Sequence, residues 1–243
     1  MKHFLLALRF LTVYPFGASE EVSTEDLIES VIYYPLVGAM IGLLLFLFWR
    51  WAQTIWPALL AATLTVALWE LISAGLHLDG LMDTFDGLGV RGDLEKRLAV
   101  MKDSRVGAFG AQVLVLSMLL KVSAVAALEK KAELIIFAPL AGRTVMVVLM
   151  ATCSYARASG GLGKVFVDQV GMRQLVLSLG LFLLLGFAIL GRHFFYTTLA
   201  LAAVLLFLRY FFRVNFGGVT GDILGAACEL HELAVLLLAL IFA

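Results

Sequence analysis

The stretch HLDGLMDTFDGLG, His77 to Gly89, holds three aspartates in an otherwise apolar neighbourhood. On a helix of 3.6 residues per turn, Asp79, Asp83 and Asp86 stand at i, i+4 and i+7, one stripe along one face. Three carboxylates so close repel one another unless a cation sits among them. Carboxylate oxygens are hard ligands suited to Mg²⁺ or Mn²⁺, and Mg²⁺ usually completes its shell with waters and substrate phosphates rather than a full protein cage. The stripe therefore points to a Mg²⁺ site for phosphate or diphosphate chemistry, with Asp83 as a catalytic candidate. The competing reading is a solvated acidic helix end just outside a bilayer. Gly80, Gly87 and Gly89, and the lack of interleaved lysine, speak against it.

Five further groups could serve such a site. NFGGVTGDILGAACELHEL, Asn215 to Leu233, sets Gly217, Gly218, Thr220 and Gly221 before a helix on which Asp222, Gly225, Glu229 and Glu232 share roughly one face. Glycines there let backbone N–H groups approach an anion, although a glycine turn before a helix is often only a turn. LAVMKDSRVGAFG supplies Lys102, Asp103 and Arg105, whose cations could neutralise a diphosphate or simply anchor a cytoplasmic loop. Arg143, inside APLAGRTVMVVLM, is a charge in an apolar run and needs an acidic or phosphate partner. Glu70, in ALWELISAGLH, is a protein candidate for that pairing, or an extra acid for the metal. Finally, His77 could act as a general base near neutral pH, or be a structural hydrogen-bonding group.

Composition defines the elements that must position these residues. Hydrophobic residues make up 62% of the 243 and charged residues 15%, with a mean hydropathy of +1.00. Soluble domains run at roughly 45–50% apolar and 25% charged, so this is an integral membrane protein. Eighteen basic residues balance 18 acidic ones, which gives no reason to expect nucleic acid as a partner. Cys153 and Cys228 show no metal-ligand spacing and read as small core residues. Apolar segments at 36–51, 56–78, 106–128, 132–152, 175–190, 194–212 and 223–243 predict an all-α, polytopic bundle of six to seven transmembrane helices, one catalytic domain over 1–243. HFLLALRFLTVYPF is interrupted by Arg9 and halted by Pro15, and reads as a retained interfacial helix rather than a signal peptide. Ser23 and Asp26 have capping-box spacing.

Basic residues set the orientation. With a cytoplasmic N-terminus, the inner loops carry Arg91, Lys96, Arg97, Lys102, Arg105, Arg157, Lys164, Arg173, Arg209 and Arg213, against Arg50, Lys130, Lys131 and Arg192 outside. The positive-inside rule thus predicts a multi-pass protein of the cytoplasmic (inner) membrane with its polar site on the cytoplasmic face.

In order and spacing, the blocks LLALRFLTVYPFG, GLHLDGLMDTFDGLG, MKDSRVGAFG, APLAGRTVMVV with YARASGGLG, and FGGVTGDILGAACEL resemble the cobalamin synthase family, the adenosylcobinamide-GDP ribazoletransferases, over nearly the whole chain. That resemblance implies a Mg²⁺-dependent transfer from adenosylcobinamide-GDP to α-ribazole or its 5′-phosphate, giving adenosylcobalamin or its phosphate and GMP. It implies Asp79, Asp83 and Asp86 holding Mg²⁺ on the diphosphate. Lys102, Arg105 and Arg143 would steady phosphate charge, and Asp222 and Glu229 would hold a second metal or the acceptor's ribose. Asp103, Arg157, Gly218 and Thr220 join the substrate-binding set. A CDP-alcohol-type phosphotransferase is the nearer alternative, weakened because Thr84 follows Asp83 where an Asp-Gly step is expected. A cation-coupled transporter is the other. Homo-oligomerisation is left open by the chain alone.

Overall fold

Lipid offers a peptide group no hydrogen-bond partner, so a chain this apolar must satisfy its backbone inside helices. The computed structural model describes residues 1–14, 22–128, 131–158 and 160–241. Pro15, expected to halt the first helix, and Lys130 lie outside them. Among the described residues there are twelve α-helices, one 3-10 turn and no strand. They are α1 (Lys2–Leu11), α2 (Thr24–Ser30), α3 (Tyr34–Ala52), α4 (Ala58–Ile72), α5 (Leu76–Gly89), α6 (Leu94–Val100), α7 (Ala108–Ala127), α8 (Leu134–Thr152), α9 (Leu162–Gln169), α10 (Met172–Leu190), α11 (His193–Phe216) and α12 (Gly221–Ile241).

Among the described residues five spans are long and apolar enough to cross a membrane, namely Thr24–Ala52, α7, α8, α10 and α11, and the bent pair α4–α5 makes a sixth if it is one span. The protein is a multi-pass membrane bundle. α10 and α11 turn Leu184, Phe187, Leu199, Leu206 and Phe207 outward, the inverse of a soluble surface and suited to lipid. α8 is buried almost throughout, enclosed by α3, α10 and α12. Gly38 and Gly42, one turn apart on α3, let that helix close onto the α8 backbone at Pro139 and Ile136, where any Cβ would overlap it. At the N-terminus α1 buries Ala7 and Leu11 and packs Phe10 against Tyr34 and Phe166. The capping box forms: Asp26 N–H donates to Ser23 Oγ at 3.1 Å, and Ser23 N–H to Asp26 Oδ2 at 3.2 Å.

The apolar run at 56–78, expected as one span, is broken. Ala74 and Gly75 adopt left-handed backbone with φ of 52° and 66°, and Gly75 N–H returns to Glu70 O at 3.0 Å, the six-to-one bond that stops a helix. Holding alanine there costs about 1–2 kcal/mol. α5 leaves α4 at 89°. α4 has 15 residues, which rise only about 22 Å against a hydrocarbon core of roughly 30 Å. The chain therefore turns within membrane depth, and the aspartate helix begins there.

Candidate active site at the crossing of α5 and α12

α5 and α12 pack closely because each presents a glycine to the other. A Cβ on Gly80 would run into the Asp222 backbone, and one on Gly225 would come within 3.2 Å of the His77 Cα and carbonyl oxygen. That contact sets Asp79 and Asp83 of α5 beside Asp222 of α12. Asp83 is the hub, sharing its electrostatic neighbourhood with Asp79, Asp222, Asp86 and Arg157. Asp222 is bound by Arg157, whose Nη2 donates to Oδ2 at 2.6 Å and reaches Met101 O at 3.5 Å. Arg157 Nε is buried and without a protein partner. The side chain keeps 13% of its surface exposed, so the guanidinium can meet an anion while it holds Asp222.

Asp86 does something the sequence did not announce. Its Oδ2 accepts from Gly107 N–H at 2.7 Å and its Oδ1 from Gly110 N–H at 2.8 Å. Gly107, the residue at the N-cap of α7, has no side chain to satisfy the helix's first N–H groups, and Asp86 supplies the cap from a neighbouring helix. A Cβ on Gly107 or Gly110 would strike that carboxylate, which gives both glycines of MKDSRVGAFG a packing reason. Asp86 thus sits in the stripe but spends both oxygens on anchoring α7. Upstream of that anchor, Arg105 is exposed and bonded to Asp103, Nη2 to Oδ2 at 2.6 Å. The guanidinium holds the Asp103 carboxyl down at about 2.

The glycine turn before α12 serves as a clamp. Residues 154–156 and 218–220 pair across one isolated parallel bridge, with Val219 N–H donating to Ser154 O and Ala156 N–H to Val219 O, both at 2.9 Å. Gly218 is required because a Cβ there would strike the Ser154 carbonyl. Buried Thr220 caps α12, its Oγ1 accepting from Ile223 N–H at 3.2 Å and donating to Asp222 Oδ2 at 3.3 Å. Gly218 and Thr220 thereby hold the loop that aims Asp222.

Deeper in the bundle the remaining candidates separate from the aspartates. Lys121 of α7, buried and absent from the sequence-derived set, donates to Glu70 Oε1 at 2.9 Å, Glu229 Oε2 at 2.7 Å and Glu232 Oε2 at 2.9 Å. Its ammonium also lies 4.5 Å from the centroid of the Trp69 ring. Fully buried Arg143 bonds Glu232, and its Nη2 lies 3.4 Å from His77 Nδ1. The expected Glu70–Arg143 pair is therefore not made: α4 packs on α7, which hands Glu70 to Lys121. Arg143 does have the acidic partner its burial demanded. Glu70, Glu229 and Arg143 belong to this ion cluster, not to the aspartate surface. Cys228 packs there too, its Sγ 3.8 Å from Glu232 Oε1.

Among the described residues no three histidine, cysteine, aspartate or glutamate side chains close into a metal cage. The donors that converge on Asp83 are nevertheless hard carboxylate oxygens, the chemistry Mg²⁺ selects. An open arrangement of one or two of them suits an ion that takes further ligands from phosphate.

Fold and site together define a polytopic membrane protein with an acidic, arginine-flanked site. The chain belongs to the cobalamin-5-phosphate synthase family, whose family model matches residues 3–240. Curated relatives called adenosylcobinamide-GDP ribazoletransferase include one from Pseudomonas aeruginosa, 42% identical over 97% of this chain and 96% of that protein. Others come from Syntrophobacter fumaroxidans, 37% identical over 96% of each chain, and Desulforamulus reducens, 39% identical over 97% of this chain and 95% of that one. No solved structure matches this chain.

Proposed function

We propose that this protein performs the reaction named for its relatives, the transfer of the adenosylcobinamide-phosphate group of adenosylcobinamide-GDP to α-ribazole or its 5′-phosphate. A ribose hydroxyl oxygen attacks the phosphorus bonded to cobinamide, the P–O bond of the diphosphate bridge breaks, and GMP leaves with the bonding pair. The observation that carries this reading is the convergence of Asp79, Asp83 and Asp222 with the partly exposed guanidinium of Arg157, in a chain that the family model matches over residues 3–240. Such transfers depend on positioning and charge stabilisation rather than on covalent chemistry with the protein.

Asp79 and Asp83 would hold Mg²⁺, which would neutralise diphosphate charge and orient the leaving group. Arg157 steadies phosphate oxygens from the α12 side, and Lys102 and Arg105 lie on the adjoining loop to draw in an anionic substrate. Asp86 fixes that loop by capping α7. An aspartate of the stripe takes the hydroxyl proton. His77 is less suited, because Arg143 occupies one ring nitrogen as a donor. The basic residues flanking the site support an inner-membrane protein with the site facing the cytoplasm. No observation favours the CDP-alcohol phosphotransferase or the transporter.

The test is GMP release by the purified protein in detergent or liposomes, given adenosylcobinamide-GDP and α-ribazole 5′-phosphate. GMP and a cobalamin product appearing with Mg²⁺ and vanishing with chelator support the reading. Folded protein giving neither refutes it, and product formation indifferent to chelator removes the metal.

A further inference from the structure

At the end of the bundle away from the aspartates, a cavity of about 750 Å³ lies where the ends of α8, α10, α11 and α12 meet. Its lining includes Leu238, sixteen residues along α12 from Asp222, which is about 24 Å along the helix axis. The cavity is polar at its rim and apolar below it. Lys131 and Glu133, just before α8, and His193, the first residue of α11, border it at the helix ends. From there its wall runs down α11 to Ala203, ten residues beyond His193, a depth of about 15 Å and so one half of a hydrocarbon core of roughly 30 Å. Leu134 and Leu190 in its lining are buried, whereas Tyr196 and Leu199 are 77% and 73% exposed, so the cavity reaches from the bundle interior to the lipid-facing surface.

We infer that this cavity is a phospholipid site, in which the acyl chains of one lipid lie along α11 and its phosphoethanolamine headgroup pairs with Lys131 and Glu133. Location discriminates first. An apolar cavity open at membrane depth fills from the bilayer, because water drawn into it finds too few polar partners on the lower walls. Volume discriminates next. A helix of a second copy, about 10 Å across, occupies about 1,200 Å³ over a depth of about 15 Å, more than the cavity holds. Two acyl chains, each about 4.5 Å across by carbon contact distances of roughly 3.5–4.0 Å, occupy about 500 Å³ over the same depth and fit. Charge then selects the headgroup. The rim sets an ammonium at Lys131 two residues from a carboxylate at Glu133, which matches a headgroup carrying both signs. Phosphate oxygens accept from Lys131, which has three donors to distribute, and a primary ammonium donates to Glu133. A quaternary ammonium has no N–H to give, and a purely anionic headgroup sets its charge against Glu133. Among the described spans α11 is the least enclosed by protein, so the lipid supplies packing that the chain itself does not.

The experiment is a lipid titration of the purified full chain in mixed micelles, after detergent exchange, with dioleoyl phosphatidylethanolamine, phosphatidylcholine and phosphatidylglycerol, read as the thermal unfolding midpoint. Phosphatidylethanolamine is expected to raise the midpoint at about tenfold lower mole fraction than phosphatidylcholine, which has the same net charge and no N–H; tenfold is one hydrogen bond's worth. Phosphatidylglycerol should act no better than phosphatidylcholine. Glu133→Gln should bring phosphatidylethanolamine and phosphatidylcholine within about threefold of each other. Ala203→Trp, which fills the groove from an exposed position, should abolish the shift with all three lipids. No shift with any lipid, equal responses to the three, or the strongest response to phosphatidylglycerol overturns the proposal with the unaltered protein alone, so no variant has to fold. A preference that survives in folded Glu133→Gln or Ala203→Trp overturns it too, by placing the lipid elsewhere. Where detergent exchange itself unfolds the chain, mass spectrometry of the protein as first purified decides: phosphatidylethanolamine should be retained by the unaltered protein and lost from Ala203→Trp, and retention of it by both, or of another headgroup, refutes the site. A dimer that Ala203→Trp breaks while the lipid response stays unchanged gives the groove to a second copy instead.

Discussion

Replacing Lys121 by methionine removes the ammonium and keeps the volume, which isolates the electrostatics of the buried cluster. Lys121 Nζ serves three carboxylates at 2.7 to 2.9 Å, and Glu229 and Glu232 are almost wholly buried. Bonds to charged groups contribute about 1.5–3 kcal/mol each, but their sum overstates the loss, because lysine also gives up its own desolvation cost on removal. Breaking a buried pair from one side costs about 3–5 kcal/mol. Within a bilayer the unfolded helices keep some polar partners, which pulls the figure down. A loss of about 3 kcal/mol in SDS-induced unfolding from mixed micelles is therefore expected. The double variant Lys121→Met, Glu229→Gln removes one charge of each sign and should be less destabilised than the two single losses combined, by at least about 1 kcal/mol. A single variant within about 1 kcal/mol of the unaltered protein, or strictly additive losses, would show that the cluster is not held by Lys121.

Three other substitutions separate chemistry from architecture. Asp83→Asn should lower GMP release by more than about 100-fold while leaving membrane yield and unfolding within about 0.5 kcal/mol, as for a change outside the packed core; equal losses of both would make Asp83 structural. Asp86→Asn keeps one acceptor and sets an amide N–H₂ against a backbone N–H of α7. It should destabilise by about 1–2 kcal/mol in the same unfolding assay and reduce turnover less than Asp83→Asn does. Gly80→Ala drives a methyl group into the Asp222 backbone and should cost about 1–3 kcal/mol. It should also raise the KM of the acceptor; an alanine variant with unaltered stability would mean that the crossing of α5 and α12 is looser than its geometry indicates.

Much of this arrangement could be read in the residues, and the failures have physical causes. Composition requires a helical membrane protein, and the period of 3.6 places Asp79, Asp83 and Asp86 on one α5 face. The break at Ala74–Gly75 stayed hidden because hydrophobicity continues straight through it, and only a left-handed pair marks the stop. Asp86's role depends on a contact to residues 21 and 24 positions along the chain, beyond any local pattern. Lys121 could have been found. It is a lone charge in AQVLVLSMLLKVSAVAA, and the cost argument that singled out Arg143 applies to it unchanged. Which acid each cation takes was not legible, because it depends on α4 packing against α7 rather than α8.

α12 explains why the polar groups divide as they do. Asp222, Gly225, Glu229 and Glu232 follow one another down one helical face at spacings of three, four and three residues. The first meets Arg157 at the protein's polar loops, the second receives α5 at His77, and the last two reach Lys121 and Arg143 inside the bundle. A carboxylate near the loops can be offered to substrate, because water and Arg157 share the cost of its charge. The same group two turns lower must be consumed by a fixed cation, since nothing else there can stabilise it. Depth along a single helix, rather than residue type, therefore decides which acids are available for chemistry and which hold the helices that position them. His77 lies at the boundary: its Nδ1 is 3.4 Å from Arg143 Nη2 in the cluster below, and the residue also lines the cavity beside the aspartates.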